Sequence, residues 1–270
     1  MTTASEAPAL GGDVDPAADA ESAARAVRRA ERIRLLIQPL IVVVMVAVLL
    51  TYALTRKLTA TQAETINIGT ISETVLQHVL ITFVVTALVV LVAVPLGILL
   101  TRNGYRRLAP IFIGIANIGQ AAPAVGLLVL LFLLTSTTGF WIGVLPIAFY
   151  SLLPVLRNTM LGFQQVDPSY IDAARGQGMS SGGVLRRIEF PLAVPYILAG
   201  LRTSLVLAVG TATLSFLVGA GGLGVLIDTG YKLNQPLILV VGAVLAVALA
   251  LLVDWLGALA EAYLGPKGLR

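Results

Sequence analysis

Cysteine is absent from the 270 residues, and histidine occurs once, at His78. The first absence excludes a disulfide framework and any thiolate metal site; the second excludes a histidine-rich zinc or iron centre. Charged residues make up only 12% of the chain and aromatic residues 6%. A soluble domain carries roughly 25% charge. With 57% of the residues hydrophobic, there is too little polar surface to cover a globule of this size, so lipid must solvate part of it. No G-x-x-x-x-G-K-[ST] loop is present to hold a nucleotide, and no catalytic or metal-binding constellation stands out. The net charge of +4 would suggest nucleic acid in a soluble protein. Here the basic residues sit beside apolar runs, where they set membrane topology instead.

What the chain has is long apolar runs. A bilayer core of roughly 30 Å needs about 20 apolar residues in a helix. Residues 35–54, 79–101, 109–134, 140–160, 203–218 and 236–256 meet or approach this, which predicts six transmembrane helices. The third is interrupted by "NIGQAAPAVG", Pro95 marks a kink in the second, and residues 192–201 lead into the fifth along the interface. Asp254 lies about 27 Å along the last span at 1.5 Å per residue, near an interface. Residues 1–34 read as a tail, disordered to about residue 20 and then a basic helix ("AESAARAVRRAERIR"); residues 35–270 form the transmembrane domain.

Basic residues give the direction. Arg25, Arg28, Arg29, Arg32 and Arg34 precede the first span, Arg102, Arg106 and Arg107 follow the second, and Arg157, Arg175, Arg186, Arg187 and Arg202 cluster around the fourth-to-fifth connection. Lys267 and Arg270 close the chain, whereas the opposite side holds Arg56, Lys57 and Lys232. The positive-inside rule therefore predicts both termini in the cytoplasm of a plasma- or inner-membrane protein, with residues 55–78 and 219–235 outside.

"GAGGLG" at residues 219–224 has the G-x-G-x-x-G spacing of a dinucleotide fingerprint. An apolar membrane run precedes it, and Asp228 follows far too soon to be the ribose-binding acid. The glycines read instead as a tight turn at the outer mouth of the domain. His78 reads as a solvated histidine at the outer edge of the second span.

The long inner connection reads "VDPSYIDAARGQGMSSGGVLRRIEFPLAVP". Asp167 followed by Pro168 is a helix start, an N-cap acceptor and then a residue suited to the first turn. Gly176 and Gly178 can end that helix. Ser180 or Ser181 can cap a second one, running through Ile188 until Pro191 stops it.

"DAARGQG", nine residues and "IEFP" resemble the EAA loop of binding-protein-dependent ABC importer permeases, Glu-Ala-Ala, three residues, Gly, nine residues, Ile-x-Leu-Pro. Asp172 stands in place of Glu and Phe190 in place of Leu. "LLPVLRNTMLGFQQVDPSYIDAARGQGM", "FPLAVPYILAGLRTS" and "GAGGLGVLIDTG" are similar to the glycine betaine/carnitine/choline osmoprotectant permeases. The resemblance covers roughly residues 75–260. It implies an all-α integral membrane fold of the type I ABC importer permease kind, with residues 167–191 as a cytoplasmic coupling-helix loop. It also implies that Asp172, Ala173, Ala174, Gly178, Ile188 and Pro191 form the coupling element against a separate ATPase subunit. ATP and Mg would belong to that ATPase, and this chain would need no cofactor or metal and catalyse nothing. The further partners implied are an extracytoplasmic solute-binding protein and a second permease subunit, the same chain or a paralogue.

Polar residues inside spans face protein or water. Asn117, Gln120, Pro123, Tyr150, Asn158 and Thr211 are accordingly candidates to line a translocation path. Helix–helix hydrogen bonding is the competing role, and the favoured one for the Ser and Thr residues. The spans hold too few aromatics for a quaternary-ammonium cage, so selectivity would reside in the binding protein. The alternatives are a permease for another solute, such as an amino acid, sulfonate or metal chelate, a channel or sensor, and a membrane enzyme.

Overall fold

A computed structural model describes residues 16–264. The stretch before residue 16, expected to be disordered, and the closing Lys267 and Arg270 lie outside the described residues. The chain divides into two compact units, residues 1–37 and 38–270. All regular structure among the described residues is helical. Helix α1 (Pro16–Thr55) begins on a proline, which suits a first turn whose N–H has no intrahelical partner. It therefore starts a few residues before the expected end of the disordered stretch, near residue 20.

The second unit continues with α2 (Ala60–Thr65), α3 (Ile68–Leu100), α4 (Ala109–Ala121), α5 (Ala124–Thr135) and α6 (Phe140–Gln164). After these come α7 (Pro168–Gly176), α8 (Ser181–Val184), α9 (Phe190–Ala212), α10 (Gly224–Lys232) and α11 (Pro236–Leu264). Among the described residues five helices are individually long and apolar enough to cross a membrane, and α4 with α5, bent by 99°, make up to a sixth crossing. The break falls at Ala122–Pro123, inside the interruption read from the sequence.

Helix α6 is the centre of the bundle. It packs against α3 and α9, and α11 closes the far side of α9. Ile81, Val85 and Val89 of α3 meet Val144, Ile147, Val155 and Leu156 of α6 and Ala208 and Ala212 of α9 in one buried cluster. Lipid tails are as apolar as leucine, so helices in a bilayer associate through close backbone approach. The sequence provides it: a Cβ on Gly97 would strike Thr159, one on Gly162 would strike Tyr196 and Ala193, and one on Gly200 would strike Asn158 and the Pro154 carbonyl.

Three sequence expectations are corrected. Helix α3 begins at Ile68, not near residue 79, because Asn67 caps it by accepting from the Thr70 N–H at 2.9 Å. At 33 residues it is about 50 Å long, well beyond the roughly 30 Å hydrocarbon core. His78 consequently lies inside the fold and is fully buried, not solvated. Finally, residues 192–201 are not a separate lead-in but form the first half of α9, which ends at Ala212; residues 215–218 turn as a short 3-10 segment.

That early end of α9 explains the histidine. The Thr213 N–H turns to the Gly210 carbonyl, leaving the Val209 carbonyl without its helical partner. His78 Nε2 lies 3.0 Å from that oxygen, and its Nδ1 accepts from the Leu223 N–H at 3.2 Å. The ring is thus the Nε2–H tautomer. Beside it, Gln77 Oε1 accepts from the Gly222 N–H at 3.0 Å, and the Ser215 hydroxyl donates to the Gly221 carbonyl at 2.7 Å. "GAGGLG" is therefore a pinned turn, with Gly219, Gly221 and Gly222 all at positive φ.

A second tie joins α1, α9 and α11. Arg202 is bidentate to Asp254 at 2.6 and 2.9 Å and reaches Glu261 at 3.1 Å. Gln38 of α1 donates to Asp254 at 2.8 Å and to the Leu251 carbonyl at 3.0 Å. Asp254, expected near an interface, is held by these groups and is half-buried.

Candidate coupling loop and translocation residues

The connection between α6 and α9 is built by local chemistry. Asp167 caps α7, its carboxylate accepting from the Ser169 N–H at 2.8 Å, and Pro168 takes the first helical position. That backbone hydrogen bond favours the ionised form and holds the Asp167 carboxyl below its ordinary range. At the other end Gly178 has φ +80°, the Met179 N–H reaches the Ala174 carbonyl at 3.1 Å, and the Gly178 N–H reaches Arg175 at 2.9 Å. This is a Schellman ending, which requires a left-handed residue where glycine stands. Ser180 then caps α8 by accepting from the Gly183 N–H at 3.3 Å.

Pro191 does not stop the second helix. Residues Leu185–Glu189 form a π-turn, the Phe190 N–H bonding back to the Leu185 carbonyl, and the chain runs on through Pro191 into α9. The proline sits at the second position of α9, where the widened turn tolerates its missing N–H. The π-turn aims Glu189 inward. Glu189 is buried and bidentate to Arg102, at 3.1 and 2.5 Å. The same guanidinium lies 5.6 Å from the centre of the Phe163 ring. The ends of α3 and α6 and the start of α9 thus share one ion pair at the base of the loop. Sequence reading assigned Glu189 no such partner.

Of the six residues assigned to coupling, Asp172, Ala173, Gly178 and Pro191 are exposed, Ile188 is half-buried and Ala174 is buried. Helix α7 thus rests on Ala174 and turns Asp172 and Ala173 outward.

The residues assigned to a path are not all brought together. Asn117 accepts from Arg157 of α6 at 3.1 Å, a pairing not anticipated. Gln120 lies one turn further along α4, half-buried, and Pro123 heads α5 at the 99° break. Asn158 donates to the Pro154 carbonyl at 2.9 Å and packs on Gly200, and Thr211 donates to the Leu207 carbonyl at 2.7 Å. Those two serve helix packing and helix back-bonding. Tyr150 is half-buried on α6. The Ser204 hydroxyl, donating to the Ser151 carbonyl at 2.7 Å, is a helix–helix bond of the favoured kind.

Residues 93–264 match the family described as "binding-protein-dependent transport system inner membrane component". The choline transport system permease protein OpuBB of Bacillus subtilis is 40% identical over 72% of this chain and 88% of its own length. The glycine betaine/carnitine/choline transport system permease protein OpuCB of the same organism is 38% identical over the same shares. The osmoprotectant import permease protein OsmW of Salmonella typhimurium is 35% identical over 76% of this chain and 96% of its own length. The fold is similar to a chain of the MetNI methionine ABC transporter in an inward-facing conformation. That likeness has a TM-score of 0.64 at 21% identity, covering 77% of this chain and all of that one.

Proposed function

Because the chain belongs to the binding-protein-dependent transport system inner membrane components, we propose that it carries glycine betaine, carnitine or choline across the membrane. It is a multi-pass inner-membrane permease, a transport subunit of an ABC importer and not an enzyme. Membership implies an ATPase and a solute-binding protein as partners. The observation that carries the substrate class is identity of 35–40% to choline, betaine and osmoprotectant permeases across most of their lengths.

In this reading ATP and Mg are handled by the ATPase, which docks on α7 through Asp172 and Ala173, with Ala174, Gly178, Ile188 and Pro191 fixing the helix beneath. A second permease subunit, a copy or a paralogue, completes the path. The termini are cytoplasmic. Asn117, Gln120, Pro123 and Tyr150 line the route, whereas Asn158 and Thr211 support it. The arginine-rich span ends and the outward-facing helix between two caps support this arrangement. Residues 1–34 form a cytoplasmic extension of the transmembrane domain.

The test is uptake by the reconstituted complex in proteoliposomes. Labelled betaine or choline should accumulate only when ATPase, binding protein and ATP are all supplied. Accumulation of an amino acid or sulfonate that betaine fails to compete with would move the chain to another solute class. Uptake without the ATPase would make it a channel.

A further inference from the structure

A cleft of about 440 Å³ opens beside α7, and it gathers Arg102 and Arg106 from the α3–α4 connection and Arg175 from α7. Arg102 is engaged with Glu189 and the Phe163 ring. Arg106 and Arg175 are exposed and have no carboxylate partner among the described residues. Three guanidinium groups therefore face one carboxylate. Phe163 and Ile171 add an apolar wall. The cleft lies where α3 ends at Leu100 and α6 at Gln164, the cytoplasmic ends of both spans in the proposed topology.

Unpaired guanidinium forks converging on one space match the oxygens of a phosphate, which accepts two of them at once. Basic pockets at the ends of spans are the usual seats of anionic headgroups. We propose that this cleft binds a phosphate group, the apolar wall favouring the headgroup of an anionic phospholipid over free phosphate. A phosphate held between Arg106, at the α3–α4 turn, and Arg175, on α7, ties the loop helix to the membrane surface. The substrate plays no part in this site, so it stands or falls apart from the transport assignment.

The experiment uses the full chain in nanodiscs of phosphatidylcholine with increasing phosphatidylglycerol, reading lipid retained per chain by native mass spectrometry after mild delipidation. Phosphatidylglycerol should be retained saturably. Arg106→Gln/Arg175→Gln should weaken retention by roughly 30-fold, the worth of two basic groups at an anionic surface. Arg106→Lys/Arg175→Lys should keep most of it, and Lys57→Gln on the opposite side should change nothing. Equal retention by the glutamine and original proteins overturns the proposal, as does retention of phosphatidylcholine equal to phosphatidylglycerol. Inorganic phosphate is titrated as a second arm. If it protects Arg175 from arginine-directed labelling where phosphatidylglycerol does not, the phosphate site stands with a soluble anion as its ligand.

Discussion

His78 accepts from the backbone N–H of Leu223 while its opposite ring nitrogen meets the Val209 carbonyl, so a single side chain joins α3, the end of α9 and the start of α10. Removing it strands a buried donor and a buried acceptor. Each such group costs about 1–3 kcal/mol. His78→Ala is expected to lower the thermal midpoint of the purified permease clearly, and Gln77→Ala, which strands the one Gly222 N–H, to lower it less. A midpoint unchanged in His78→Ala would mean that water replaces the ring.

Gly178 is a conformational requirement and not a steric one. No atom lies within 4 Å of a Cβ built there, yet its φ is +80°. An L-residue in that region costs about 1–2 kcal/mol. Gly178→Asn should be tolerated, Gly178→Val should reduce uptake several-fold, and Gly178→Glu should abolish it while the protein remains in the membrane. Immunoblotting of membranes alongside the uptake assay separates a coupling defect from loss of the protein. Normal uptake by Gly178→Glu would remove this loop from the ATPase contact.

Arg202 and Asp254 are each about one-fifth exposed, so their pair is partly shielded. Breaking a buried pair costs about 3–5 kcal/mol, and this exposure places Asp254→Ala near or below the lower figure. After Asp254→Ala, Arg202 retains Glu261. Arg202→Ala instead removes the guanidinium from both Asp254 and Glu261 and leaves the Gln38–Asp254 bond in place, so it should be the more damaging change. A double-mutant cycle on thermal stability checks the order. Additive effects would mean that the pair is not coupled.

The Asp167 cap carries a pH dependence of known sign. Its folded carboxyl titrates below the unfolded value of 3.8. Its contribution to α7 is thus complete above that value and is lost as pH falls through the lower, folded one. Hydrogen exchange at the Ser169 amide should be flat with pH in protection factor from neutral to about 5 and should rise in freedom only in stronger acid. Asp167→Asn should remove that acid step while keeping the cap. A protection change near neutral pH would point to some other group.

Because the chain has no cysteine, single introduced cysteines report topology without background. Asn234→Cys and Thr61→Cys should react with an impermeant thiol reagent in intact cells, and Ser181→Cys only after lysis. Thr61 serves better than its neighbour Gln62, whose side chain is bonded to Gln235 at 2.8 Å. Labelling of Ser181→Cys in intact cells would reverse the orientation.

What the sequence made readable was local. Asp167 with Pro168, Gly178 and Ser180 each act on backbone within a few residues, and their chemistry stands in the order of letters. The break before Pro123 was legible for the same reason. His78 to Leu223, Gln38 to Asp254 and Arg157 to Asn117 were not, because each joins residues from helices whose packing is set by many apolar contacts at once. His78 was misplaced by a further cause. The apolar run begins at residue 79, but the helix begins at Ile68 behind its Asn67 cap, and a cap outranks hydropathy in setting where backbone starts to coil.

The π-turn at Leu185–Glu189 gives the spacing of the loop a geometric meaning. Each residue advances a helix by about 100°, so one added or deleted residue swings everything upstream by more than a quarter-turn. The run between Gly178 and Pro191 therefore acts as a dial, setting the compass bearing at which α7 meets whatever docks on it. Deleting Arg186 would leave composition almost intact and still point Asp172 the wrong way.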